Sequence, residues 1–132
     1  MPVSTVTDKE WWKKHYKQVS SLADACKKLG GEYRYEQFVG DICRLPEADI
    51  IHDLYREQVE IIQAGDIIFV RKWSFKRDDV TKPWSYNQKE EVKLVDINAE
   101  LWVDDIYKDM RIHSDKAHIF VNKYGFIVDI GD

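Results

Sequence analysis

Most of the features that would tie this chain to a familiar chemistry are scarce or missing. It has two cysteines, Cys26 and Cys43, in 132 residues. That is too few for a disulfide-built scaffold, so both read as free thiols in a reducing compartment. Three prolines and six glycines exclude collagen-like and low-complexity chains. No apolar run approaches the roughly 20 residues that span a bilayer. The first ten residues lack a basic start followed by an apolar stretch, so a secretory signal is not expected and the cytoplasm is the expected compartment. Nor is there a basic surplus. The net charge is −4, shared equally by residues 1–65 and 66–132, which disfavours a duplex-binding protein. Gly-rich phosphate loops and cofactor fingerprints are also missing. The reading therefore calls for no cofactor and no bound metal.

What is present is a globular composition. Hydrophobic residues make up 44% and charged residues 33%, and 132 residues fit one domain, 1–132. Aromatics reach 13%, with five Trp and seven Tyr. Rings left outside a small core mark contact surfaces.

The periodicities point to an α+β fold. Thr7-Asp8-Lys9-Glu10 reads as a capping box. Trp12, Tyr16, Val19, Ala23 and Cys26 then recur at helical spacing, and Gly30-Gly31 ends the helix. A second helix is expected over Tyr35 to Arg44, with Phe38, Ile42 and Leu45 as its apolar line. A third should run from Pro46 to Gly65 through Ile50, Ile51, Leu54, Tyr55, Val59 and Ile62. From Ile67 to Lys76 the period changes to two. Phe69, Arg71, Trp73 and Phe75 then share one face. Residues 77–89 read as a loop, and Glu91 to Ile97 as a strand. Asn98 caps a short helix to Met110, with a strand over 100–107 as the alternative. Lys116 to Val121 and Phe126 to Ile130 form the last strands, joined by the turn Asn122-Lys123-Tyr124-Gly125. The order ααα-β-β-α-β-β predicts a three-helix segment on one face of a curved, mainly antiparallel sheet of about four strands.

Four constellations could carry chemistry. Asp66 followed by Glu91-Val92-Lys93 resembles the metal-dependent nuclease arrangement, with Glu60 as a further ligand. There two carboxylates hold Mg²⁺ and the lysine stabilises charge. The strand entering Glu-x-Lys is polar here, however, and alternating charge is also the mark of a solvated face. His113 and His118 have opposite parity on a continuous strand and read as surface histidines, unless a turn near Ser114-Asp115 brings them together. Cys26 lies on an apolar stripe and reads as core rather than nucleophile. Residues 21–30 faintly suggest the first half of a helix-turn-helix, but acids follow where a recognition helix would meet phosphate.

The surface carries more information. Arg71, Trp73, Phe75, Arg77, Trp84 and Tyr86 interleave cations with rings, as protein-contact surfaces and single-strand binders both do. Trp102, Asp104, Asp105, Tyr107 and Asp109 form a second candidate patch, suited to a basic partner. Trp12, Phe69 and Trp73 could line a small-molecule pocket. The expectation is a non-enzymatic protein-binding protein, an inhibitor or immunity-type protein (toxin-neutralising or phage-encoded) that occludes a toxin or host enzyme. The alternative is a Mg-dependent nuclease or single-stranded nucleic-acid binder using residues 66–93.

Overall fold

A computed structural model describes residues 9–51 and 53–129. The capping box at 7–10 lies partly outside them. The elements are α1 (Lys9–Trp12), β1 (Lys17–Val19), α2 (Leu22–Lys28), β2 (Glu32–Glu36), β3 (Gly40–Arg44), β4 (Ala48–Ile50), β5 (Tyr55–Ala64), β6 (Ile67–Lys76), β7 (Ser85–Val95), β8 (Glu100–Asp104), β9 (Asp109–His113), β10 (His118–Asn122) and β11 (Gly125–Asp129).

The three-helix α+β expectation is overturned: the fold is mostly antiparallel sheet. Sheet A runs β1-β8-β9-β10-β11. Sheet B runs β2-β3-β5-β6-β7, with β4 also paired to β5. Their inner faces enclose one apolar core. Val59, Ile61, Ile68 and Val70 of sheet B meet Leu101, Met110, Ile112 and Ile119 of sheet A, and Leu22, Ala25 and Cys26 of α2 close one side.

Each misplaced helix has a physical cause. The stripe Trp12–Tyr16–Val19–Ala23–Cys26 is split over α1, the loop carrying Tyr16, β1 and α2. Val19 pairs with Leu101 across the ladder, and α2 begins only after its N-cap Ser21, whose Oγ accepts the Asp24 N–H at 3.1 Å. α2 ends before Gly30, which takes the left-handed φ of +75° as expected. Among the described residues no second helix follows it, so the helix-turn-helix reading fails as well. Residues 35–44 are a hairpin. Phe38, expected on a buried stripe, sits at its tip with 97% of its surface exposed. Gly40 opens β3 at φ +120°, and a Cβ there would lie 2.4 Å from the Gln63 carbonyl oxygen. Tyr55–Ala64 is a strand buried on both faces around Val59–Ile62, so its apolar run lacks the period that separates strand from helix.

Residues 98–110 contain β8 and the start of β9, which settles that segment in favour of strand. The loop expected over 77–89 ends early, since β7 begins at Ser85. β6 and the turn between β10 and β11 lie where the sequence places them. Cys26 and Cys43 are not free thiols: they form a disulfide that fixes α2 to β3. No described helix is long and apolar enough to cross a membrane.

Candidate functional site

The outer face of sheet B is organised in rows, because aligned residues on neighbouring strands share a face. One row reads Glu32–Arg44–Glu60–Arg71–Glu91 across five strands. It is an alternating charge ladder, in which Arg44 Nη2 lies 3.4 Å from Glu60 Oε2 and Arg71 Nε donates to Glu91. The next row is Gln58–Trp73–Lys89, with the Lys89 ammonium 5.9 Å from the Trp73 ring. Beyond it a bulge in β7 skips Asn87, so Phe75 faces Tyr86 at 6.3 Å, edge to face. Arg71, Trp73, Phe75 and Tyr86 thus stand together on one face. Tyr86 is well exposed, and Trp73 and Phe75 are half-buried.

Trp84 and Arg77, expected on the contact surface, are engaged within the chain. Trp84 is stacked by Arg56 at 4.4 Å and Arg77 at 4.2 Å. Arg77 also donates to the Asp53 carbonyl at 2.8 Å and the Lys82 carbonyl at 3.3 Å. The stack braces the 77–84 loop against sheet B and borders the ring patch.

The four residues of the nuclease reading do not converge. Glu60 and Glu91 lie on strands either side of β6, about 10 Å apart at the backbone. An arginine contacts each. Lys93 stands beside Phe69 in the adjacent row. Asp66 lies in the β5–β6 turn, five residues and about 16 Å along the strand from Arg71. Among the described residues no group of three or more His, Cys, Asp or Glu could hold a metal ion.

The second expected patch splits in two. Asp104 caps the β8–β9 turn by accepting the Ile106 N–H at 3.0 Å, and Asp105, Ile106 and Tyr107 stand exposed at the tip. Trp102 and Asp109 belong instead to a cluster on the outer face of sheet A. Trp12 is fully buried there, in edge contact with Trp102 at 5.2 Å, which puts it on the far side of the molecule from Phe69 and Trp73. Those three rings therefore line no common pocket.

The cluster under Trp12 was not legible as a unit. A turn over residues 114–117, closed by Ser114 N–H to the Ala117 carbonyl at 3.0 Å, sets His113 opposite His118. Their Nδ1 atoms lie 3.2 Å apart, and Arg111 Nη1 lies 3.1 Å from His118 Nε2. Both histidines are buried, contrary to the surface reading. The Arg111 guanidinium sits among the rings of Tyr16, Phe120, Trp11 and Trp12 at 5.0 to 5.5 Å. Burial, then the Arg111 and His113 charges, push His118 down to about 4. At the other end of the cluster, burial and the hydrogen bond to Asp109 push Tyr16 up to about 12. Burial likewise raises Asp109, against the Tyr16 hydrogen bond, which lowers it. With His118 neutral, Arg111 sits between it and the Tyr16–Asp109 end of the cluster, which holds the Trp11–Tyr16 segment on sheet A. No protein-family model, no curated protein and no solved structure matches this chain.

Proposed function

We propose that this chain is a non-enzymatic protein-binding protein of the inhibitor or immunity type, toxin-neutralising or phage-encoded, which occludes a partner's surface with the outer face of sheet B. One observation carries the reading: Trp73, Phe75 and Tyr86 form a contiguous ring patch on a rigid three-strand platform, bordered by cations. Rings of this kind anchor interfaces at low entropic cost, and arginines flank such anchors. The charge ladder beside the patch matches ionised groups internally and favours a partner with mixed charge over a uniformly charged one.

The buried Cys26–Cys43 bond supports a working place where disulfides persist, outside the reducing cytoplasm expected from the sequence. That expectation rested on free thiols.

The test is capture of a stoichiometric protein from host extract by the immobilised chain, compared with Trp73→Ala and Phe75→Ala. Truncating an anchor ring costs about 2 kcal/mol or more, roughly thirtyfold in affinity. Retention of the partner by both variants would defeat the reading. Single-strand binding is the competing outcome. A filter-binding titration that shows tight, steeply salt-dependent uptake of single-stranded DNA, lost in Trp73→Ala, would favour it.

A further inference from the structure

The ring patch continues into a groove. A depression of about 320 Å³ lies against Trp73 and Phe75 and is bounded by Arg44, Glu47 and Gln58. The same three residues wall a second depression of about 330 Å³, which extends over Leu45 and Pro46. Leu45 and Pro46 in turn wall a third, of about 200 Å³, closed by Leu29, Tyr107 and Tyr124. The path crosses the edge of sheet B at Pro46, between the end of β3 and the start of β4. It finishes between the β8–β9 and β10–β11 turns.

The hairpin end has its own chemistry. Its floor is Leu29, Leu45 and Pro46, and its sides are the exposed rings of Tyr107 and Tyr124. Its charged lining residues are lysines, Lys108 and Lys123. Lys108 donates to the Lys28 carbonyl at 3.0 Å, and Lys123 lies 5.3 Å from the Tyr124 ring. Among the described residues neither is paired with a carboxylate. Lys27 and Lys28 follow on the last turn of α2. A cavity of 200 Å³ is smaller than the roughly 300–1,000 Å³ of small-molecule pockets and suits one side chain.

We propose that this groove receives an extended segment of the protein partner, whose apolar side chain enters the Leu29–Leu45–Pro46 pocket while neighbouring acidic residues meet Lys108 and Lys123. The proposal rests on the protein-binding reading above and deepens it. The partner is read along a line from ring patch to hairpin tips, and its segment is acidic around one apolar anchor.

The experiment is an amide NMR titration of the whole chain with three capped peptides: Ac-Glu-Phe-Glu-amide, Ac-Lys-Phe-Lys-amide and Ac-Glu-Gly-Glu-amide. The first should give saturable shifts at Tyr107, Lys108, Lys123 and Tyr124, and the other two much weaker ones. Lys108→Gln and Lys123→Gln, both at exposed positions, should each weaken the first peptide about twofold to fivefold, the range for one exposed ion pair. Equal shifts from the lysine peptide, or no saturable shift at those four amides, would overturn the groove. Such a result, with Trp73-dependent partner capture intact, removes the groove alone. Loss of that capture removes the protein-contact reading itself.

Discussion

Acidification probes the buried histidine pair directly. His118 has no exposed surface, and its pKa falls from 6.5 to about 4 in the folded chain. The unfolded chain protonates it near 6.5. Between those values the unfolded state binds more protons, so stability must fall as pH falls. The contribution is complete above pH 6.5, is lost progressively on the way down to about 4, and is gone below that. At 1.36 kcal/mol per unit the whole span amounts to roughly 3 kcal/mol. The upper part of the window, from pH 6.5 to 5.5, lies above the ordinary carboxylate range and isolates imidazole. Urea unfolding followed by tryptophan fluorescence at pH 7.5, 6.5, 5.5 and 4.5 gives the slope. His118→Gln removes the titrating ring, and its stability should fall less steeply over the window whatever its starting level. A direct NMR titration of the His118 Cε1 proton gives the midpoint. A midpoint at 6 or above, or parallel pH profiles for the parent and His118→Gln, would refute the argument that burial beside Arg111 keeps the ring neutral.

Three further outcomes follow from the fold. Reducing Cys26–Cys43, which are 17 residues apart, should lower stability by about 3 kcal/mol by the loop-closure rule, seen as a fall in urea midpoint on adding a reductant. An unchanged midpoint would mean that packing alone holds α2 on β3. Gly40→Ala places a methyl 2.4 Å from the Gln63 carbonyl at φ +120°. It should cost about 1–3 kcal/mol or more and speed amide exchange along β2 and β3. Glu60→Gln removes the buried carboxylate that Arg44 meets at 3.4 Å and should cost about 1–3 kcal/mol in urea unfolding. Mg²⁺-dependent DNA or RNA cleavage that is present in the parent and lost in this variant would instead revive the nuclease arrangement.

In the second half of the chain, β6 and the last turn were legible because their signals are local, whereas the helix expected over 98–110 and the loop over 77–89 were not borne out. β6 alternates cleanly, and the last turn carries a Gly at its exit, so period and turn chemistry point the same way. The first half misled because spacing in sequence does not record which layer a side chain enters. Trp12 and Cys26 sit at helical spacing, yet one covers the outer face of sheet A and the other lies in the core between the sheets. In β5 the buried run Val59–Ile62 removes the alternation that marks a strand. Its β-branched content, Val59, Ile61 and Ile62, was the signal that could have decided it. The disulfide was missed for the same reason: the two cysteines meet only once α2 folds onto β3.

The candidate sites divide along the same line. That Arg71, Trp73 and Phe75 share a face could be read from β6 alone, since parity within one strand fixes it. Which residues flank them could not, because that depends on register. The ladder Glu32–Arg44–Glu60–Arg71–Glu91 draws on five strands that sequence reading had split among helices, strands and loop. Once aligned, it changes what the acids mean. Glu60, which reads as a metal ligand in isolation, becomes a rung between Arg44 and Arg71, and Glu91 becomes the end rung bonded to Arg71. Their charge is matched within the sheet, so the proposed contact rests on the rings beside them. His113 and His118 show the converse. Their odd spacing argued against a shared face, and a turn centred on Ser114–Ala117 reversed that by setting them across from each other. Pairing across turns, rather than residue type, decides which groups on this molecule are neutralised and which remain available.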